Sequence, residues 1–362
     1  MTLDLRSRLR GCLLGGAVGD AIGAPIEFSS LDAIRAAYGP GGLTEMLPPF
    51  HFTDDTQMTL FTCEGLLRSA MMLEAGGVSH PPTQVHDSYL RWLATQDADL
   101  FGDDAIQPAE VPLHAGMLMA DVRMHRQEAP GMSCLTALRS GRAGTTGNRI
   151  NDSKGCGGVM RAAPAGFLTP GVPIGGSAAE AYAAGVEVAA LTHGHDFGFE
   201  PAGLLAAMVH LIMAGSSIRD AYETSRELTS DALASVIDVA VALGSGQPPS
   251  PEEIEGSLGG GWVGEEALAI AIACSIDAPD FSTGVLASIN HSGDTDSTGS
   301  ICGNLLGALL GVEAIPERWL RALDGADLVL EVADDCAAWI IEEPRGDVPD
   351  ETFSRLFGRY VS

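Results

Sequence analysis

Two runs of glycine at a spacing of four constrain this chain more than any other feature. Gly11, Gly15, Gly19 and Gly23 form one series, and Gly299, Gly303, Gly307 and Gly311 form the other. In a helix each series lies along an i±4 ridge. An interior glycine costs about 1 kcal/mol relative to alanine, so a helix that keeps such a stripe needs a compensating gain. Close approach of another backbone is the usual one. A composition with 45 glycines in 362 residues could also scatter them by chance. The expectation is that both helices are buried and tightly packed, with each other as one candidate pairing.

The remaining periodicity is helical as well. Ala/Leu-rich segments recur near 8–25, 56–73, 84–95, 113–126, 179–193, 201–214, 218–243, 264–276, 296–311 and 327–342. β-Branched alternation is scarce and no strand–helix–strand succession emerges. Gly/Pro/Ser-rich breaks fall at 38–49, 74–83, 168–178 and 244–261. The last could pass for an interdomain linker, but the flanking segments are equally helical, so it reads as a join within one bundle. An all-α fold in a single domain spanning 1–362 is expected.

Composition narrows the function classes. Hydrophobic residues make up 46% of the chain and the mean hydropathy is +0.16, which is enough for a sizeable core and rules out general disorder. Forty-eight acids against twenty bases give a net charge of −28. Such a surface repels polyphosphate, so neither a long nucleic acid nor an anionic membrane is an expected partner. A small phosphorylated ligand stays open if the site gathers its few bases, of which only Lys154 is a lysine. Seven cysteines without a CxxC pair argue against a disulfide framework or zinc cluster and for a reducing compartment. Arg6, Arg8 and Arg10 before the apolar run from Cys12 to Ile26 imitate a secretion signal, but Asp20 and the glycines interrupt that run. No stretch approaches the ~18–20 uncharged apolar residues of a membrane span. A monomeric cytoplasmic protein is expected.

Two acidic clusters carry the chemistry. Thr53-Asp54-Asp55-Thr56-Gln57 precedes an amphipathic segment, where Asp54 or Thr53 can cap a helix and Gln57 can reach back. Capping consumes one carboxylate and leaves the next free. The second cluster runs from Asn290 to Gly299 and contains Asp294, Asp296 and Ser297. An EF-hand reading puts Leu305 where a bidentate Glu belongs, which rejects it. A phosphatase nucleophile would need a buried strand upstream and a sheet downstream, and a DxD nucleotide-sugar transferase would need an α/β domain. Carboxylates at the start of a glycine-striped helix fit what surrounds them. The donors are hard oxygens, suited to Mg²⁺, Mn²⁺ or Ca²⁺ rather than zinc or copper. Four carboxylates brought together would repel unless cations neutralised them, and a pair of divalent ions could activate water and clamp substrate oxygens.

Five segments in order then resemble one family. They are GGAVGDAIGAPIEF at 15–28, TDDT at 53–56, GGVMRAAP at 157–164, THGH at 192–195 and GDTDSTG at 293–299. Together they are similar to the ADP-ribosylglycohydrolases, the dinitrogenase-reductase-activating glycohydrolase superfamily. The resemblance implies an all-α orthogonal bundle with two Mg²⁺ or Mn²⁺ ions in a cleft. It implies Thr53, Asp54 and Asp55 on one metal, with Asp294, Asp296 and Ser297 completing the pair and Asp296 bridging. Glu27 would act beside them as ligand or base. Glu27, Asp54, Asp55 and Asp296 are thus the expected catalytic group. The implied reaction is hydrolysis of the glycosidic bond at C1″ of ADP-ribose, the metals holding ribose hydroxyls or positioning water.

The loop Ser153-Lys154-Gly155-Cys156-Gly157-Gly158 reads as an anion nest for a diphosphate, with Lys154 as a local cation or as a solvated surface residue. Arg161 could pair with phosphate or with an acid of the bundle. By the resemblance His193 lies near substrate; a capping or core histidine is the alternative for His193 and His195, and a zinc site there is discounted. Phe197 and Phe199 are candidates for stacking adenine, and the acidic stretch 97–104 for a loop at the cleft rim. The expected partner is an ADP-ribosylated protein or small ADP-ribosyl compound, with arginine as the leading acceptor. A catalytically idle ADP-ribose binder and a hydrolase of ADP-ribosylated small molecules or bases are the alternatives.

Overall fold

The glycine stripes form a single seam. In a computed structural model, which describes residues 4–96, 116–169, 174–342 and 350–361, the first helix Leu5–Gly23 lies antiparallel to the helix Thr295–Leu310. A methyl group added at Gly11, Gly15 or Gly19 would come closer than 3.0 Å to the carbonyl oxygens of Gly307, Gly303 and Gly299 respectively, and one added at Gly23 would strike Thr295. The reverse holds from Gly299, Gly303 and Gly307 onto the first helix. Backbone meets backbone along the whole contact, so dispersion between two main chains offsets the glycine cost. Asn304 fastens the middle by donating its side-chain amide to the Cys12 carbonyl at 2.8 Å. Gly311 ends the stripe: its backbone still lies within 3.0 Å of a methyl placed on Gly11, but at φ +80° just past the helix end it occupies the left-handed region that glycine enters freely, and stops the helix.

Around this pair the chain is all-α. Among the described residues no strand forms, and only isolated bridges join His51 to Asp324 and Gly155 to Val263. The helices Asp54–Glu74, Pro81–Gln96, Ala178–Ala190, Asp196–Met213, Gly264–Ser275 and Ala326–Glu342 occupy expected segments within a few residues. Two long segments are broken instead. Near 113–126, Asp121 turns extended and its carboxylate accepts the Arg123 N–H, ending the Met117–Ala120 turn and starting a 3₁₀ turn. Within 218–243, Ser230 is extended and caps a new helix Asp231–Leu243 while its hydroxyl donates to Glu200. The supposed loop at 244–261 contains a helix, Pro251–Ser257, started by a capping box of Ser250 and Glu253 with Pro251 at the first position.

Buried apolar side chains run as one continuous cluster from Leu9 to Tyr360. The Asp196–Met213 helix alone, among the described helices, is long and apolar enough to cross a membrane, and 78% of it is buried inside the protein. The acidic stretch 97–104 lies outside the described residues.

Candidate active site

The first helix positions both acidic clusters. At one point along it, buried Asp20 accepts the backbone N–H of Thr53 at 3.0 Å and of Thr56 at 3.1 Å, together with the Thr56 hydroxyl at 2.5 Å. The helix Asp54–Glu74 is therefore held by its N-terminal end against the seam between its Gly19–Gly299 and Gly23–Thr295 contacts. At Gly23 the chain abuts Thr295, whose hydroxyl donates to the Gly23 carbonyl at 2.9 Å. That register sets Glu27, one turn beyond Gly23, against the N-terminus of the helix Thr295–Leu310. Glu27, Asp294 and Asp296 each offer an oxygen within 4.8 Å of the others.

Thr53 is the N-cap of the Asp54 helix, its hydroxyl accepting the Asp55 N–H. Gln57 does not close a capping box: it accepts from the Trp92 indole N–H at 3.0 Å and donates to the Arg126 carbonyl. Asp54 accepts the Gly131 N–H at 3.1 Å. Asp294 caps the second helix, and Asp296 accepts the Ser297 N–H at 2.9 Å. Thr53 lies close enough to Asp296 to help hold its carboxylate ionised against burial, so the two clusters meet across some 240 positions of sequence.

Electrostatics describe one shared cavity of charge. Burial, and then the charges of Asp296, Asp294, Asp54 and Asp20, push Glu27 up to about 9. Burial and Asp296 push Asp20 up to about 7 against the hydrogen bonds from Thr56 and Thr53. Asp54, Asp55 and Asp294 are held well above the usual carboxylate range, burial first and neighbouring carboxylates next. Asp55 Oδ1 is buried with no hydrogen-bond partner. An unpaired buried carboxylate oxygen amid like charges is costly. Hard divalent cations fit this donor set of carboxylates and hydroxyls, and the residues that could hold them are Glu27, Thr53, Asp54, Asp55, Asp294, Asp296 and Ser297.

The Ser153–Gly158 loop lies against the cluster through Cys156, whose thiol donates to Asp294 Oδ2 at 2.8 Å. Burial and the Asp294 charge hold that thiol protonated. The loop is less open to an anion than its glycines suggest. The N–H of Ser153 goes to Asn151, that of Gly155 to the Ser153 hydroxyl at 3.3 Å, and that of Cys156 to the Trp262 carbonyl at 3.3 Å. Lys154 is ion-paired with buried Glu265 and lies 5.8 Å above the Phe197 ring. Gly157 makes room for Cys134 and His193, which a side chain there would crowd, while a methyl at Gly155 would only touch the His193 ring at ordinary contact distance.

His193 is buried, hydrogen-bonded through Nδ1 to Thr192 at 2.9 Å. Burial, aided by Arg161, pushes it down to about 3, so it is neutral. His195 is an N-cap, accepting from the Phe197 N–H at 3.0 Å. Arg161 pairs with no acid among the described residues: it is fully buried, stacked 4.3 Å over the Tyr89 ring, and donates to Thr192 at 2.6 Å. Phe199 is a core residue under Arg149, while Phe197 is half-buried.

Asp20 is the residue that sequence reasoning passed over, treating it as an interruption of an apolar run. A carboxylate inside a buried helix must find donors, and that was the available signal.

Comparison with known proteins agrees with this architecture. The ADP-ribosylglycohydrolase family profile matches residues 1–346. The ADP-ribosyl-[dinitrogen reductase] glycohydrolase of Rhodospirillum rubrum is 24% identical over 326 residues, covering 89% of this chain and 92% of its own. The ADP-ribosylarginine hydrolase Tri1 of Pseudomonas putida is 24% identical over 97% of this chain and 82% of its own. The ADP-ribosylhydrolase ARH3 of Mus musculus is 26% identical over 88% of each. A solved structure described as an ADP-ribosylglycohydrolase-related protein complex superposes with a TM-score of 0.61 at 26% identity, over 91% of this chain and 96% of its own. An all-helical fold, two acidic helix starts brought to one floor, and a family profile spanning nearly the whole sequence lead to one conclusion: this chain belongs to the ADP-ribosylglycohydrolase family.

Proposed function

We propose that the protein removes ADP-ribose from a modified acceptor, arginine first among the candidates, by hydrolysing the glycosidic bond at C1″ with the help of two Mg²⁺ or Mn²⁺ ions. The observation that carries this reading is the meeting of buried Asp54, Asp55, Asp294 and Asp296 with half-buried Glu27, Asp55 Oδ1 being left unpaired. Thr53, Asp54, Asp55, Asp294, Asp296 and Ser297 would hold the ions. When bound, the ions supply the positive charge that lets these carboxylates ionise together and a Lewis-acid surface for substrate oxygens.

The chain's own groups do the rest. The bond from C1″ to the acceptor breaks with its electron pair leaving on the acceptor, while water oxygen bonds to C1″. Glu27, at the open edge of the cluster, takes the proton that the water loses, and that proton passes on to the departing acceptor atom, which leaves protonated. The carboxylates face a ribose ring that gains positive charge as the bond stretches, and so favour the oxocarbenium-like transition state. The Asp20 anchorage keeps the Asp54 end of the floor in register with the Asp294 end. Neutral His193 and Ser153–Gly158 line the side on which the diphosphate would lie. A net charge of −28 keeps long polyphosphate chains away while a single small ligand can still enter.

The test is release of free ADP-ribose from ADP-ribosyl-arginine, ADP-ribosyl-serine and O-acetyl-ADP-ribose with Mg²⁺ or Mn²⁺ present. Turnover that vanishes with EDTA and in Asp294→Asn supports the reading. Tight binding of ADP-ribose with no turnover of any substrate overturns it in favour of a non-catalytic binder.

A further inference from the structure

An exposed aromatic pair stands beside the acid cluster, and no step of the proposed hydrolysis uses it. Phe28 and Trp262 stack with ring centroids 5.1 Å apart and planes 24° from parallel. Phe28 is 71% exposed and Trp262 is 42% exposed, so burial of apolar surface does not account for either ring.

Both rings are placed by the cluster itself. Phe28 directly follows Glu27. The Ile26 carbonyl accepts the Ser29 N–H at 3.0 Å, with Glu27 at φ −49°, ψ 143° and Phe28 at φ +64°. That is a type II turn, and its third position is where glycine normally stands. A bulky ring there costs about 1 kcal/mol or more, and the chain accepts that cost to hold an exposed aromatic next to Glu27. Trp262 ends the loop Gly259–Gly260–Gly261. The Gly260 carbonyl accepts the Asp294 N–H at 2.8 Å, and a side chain at Gly261 would run into Thr298 and lie against Asp294. On its other side the Trp262 carbonyl accepts the Cys156 N–H. The pair therefore bridges the Glu27 turn and the Asp294 turn at the open side of the floor.

Resting on the hydrolase reading, we infer that the Phe28–Trp262 pair receives the guanidinium of the arginine that carries ADP-ribose, and so selects a cationic acceptor. Two arguments fix the occupant. The pair adjoins the carboxylates where C1″ would react, and the group bonded to C1″ is the acceptor; adenine lies a ribose and two phosphates further away. A planar cation also suits this place, because an indole face attracts it and the two stacked rings leave exposed faces beside the turn that carries Glu27.

The experiment compares kcat/KM on an ADP-ribosyl-arginine peptide and on O-acetyl-ADP-ribose, with calorimetric Kd for free ADP-ribose, in the full-length metal-loaded protein. Trp262→Ala should lower kcat/KM on the arginine substrate about fivefold to thirtyfold, change the uncharged substrate by less than about twofold, and leave the ADP-ribose Kd within about twofold. Trp262→Phe should recover most of the loss. Phe28→Gly, which suits the left-handed turn and removes the ring, should act in the same direction. An equal loss on both substrates, a weakened ADP-ribose Kd, or no change in either variant overturns the inference while leaving the hydrolase reading standing. So does a wild-type protein that cleaves only the uncharged substrate. Absence of turnover on every ADP-ribosyl substrate overturns both.

Discussion

The two ends of one helix pair behave oppositely. Where Gly11 meets Gly307, two backbones press together, and beside them the Arg8 guanidinium donates to the Ala308 carbonyl at 2.9 Å and the Leu309 carbonyl at 3.1 Å. Where Gly23 meets Thr295, the same two helices deliver Glu27, Asp294 and Asp296 into a crowd of like charges. The first end stabilises the fold, and the second is tolerated because the first is rigid. Stability and chemistry are thus separated along a single antiparallel contact, so substitutions at each end should leave different signatures.

The sharpest break comes from the charged end. Asp294→Asn keeps an N-cap but removes one charge, and should cut turnover by at least about 1,000-fold, as read by ADP-ribose release. The same variant should melt no lower than wild type once ions are chelated, because one member of a repelling group is gone. The glycine end should do the reverse. Gly303→Ala drives a methyl into the Gly15 carbonyl, with backbone on both sides and no flexible side chain to give way. Overpacking of that kind should cost about 3 kcal/mol in denaturant unfolding, roughly a 150-fold shift in the folding equilibrium.

Asp20→Asn tests the link between the ends. It turns an acceptor of two N–H groups and a hydroxyl into a partial donor, so a loss of about 1–3 kcal/mol is expected, with reduced turnover because the Asp54 end shifts. The pH dependence of metal-free stability sharpens the contrast. Glu27 is raised to about 9 and Asp20 to about 7, so above their ordinary values the native state keeps protons that the unfolded chain has released. Stability present near pH 4 should therefore fall as pH rises toward 9, on the order of 5 °C in Tm, and Gly303→Ala should retain that slope. The smallest effect is expected at Lys154. Its charge is already met by Glu265, so Lys154→Gln should weaken ADP-ribose binding less than about threefold by calorimetry.

The helical class and the seam were legible because both rest on spacing, and spacing survives whatever the tertiary surroundings do. The glycines at 11–23 and 299–307 predicted close packing, although not which helix met which. Short helices were lost. Pro251–Ser257 carries its start signal in Ser250-Pro251-Glu252-Glu253, yet seven residues are too few to show a period against a glycine-rich background. The breaks at Asp121 and Ser230 are side-chain decisions, made by one carboxylate and one hydroxyl inside otherwise helical stretches. In the site, the acids and the hydroxyls beside them could be named from motif and resemblance. Their meeting could not, since it depends on the seam register and on Asp20, neither of which is local. Lys154 and Arg161 show the converse: a cation in a promising motif finds its partner, Glu265 or the Tyr89 ring, only in three dimensions.

The long reach of the seam also bears on how the molecule is made. The helix Leu5–Gly23 leaves the ribosome ahead of its partner Thr295–Leu310, which follows almost 300 residues later. At ordinary translation rates that gap lasts roughly 15–60 s. Throughout it a glycine-ridged, apolar helix has nothing to close upon. The centre is therefore completed from the carboxyl side of the polypeptide, and a nascent chain halted before residue 295 carries the first half of the acids on a surface still open to the solvent and to other unfinished chains.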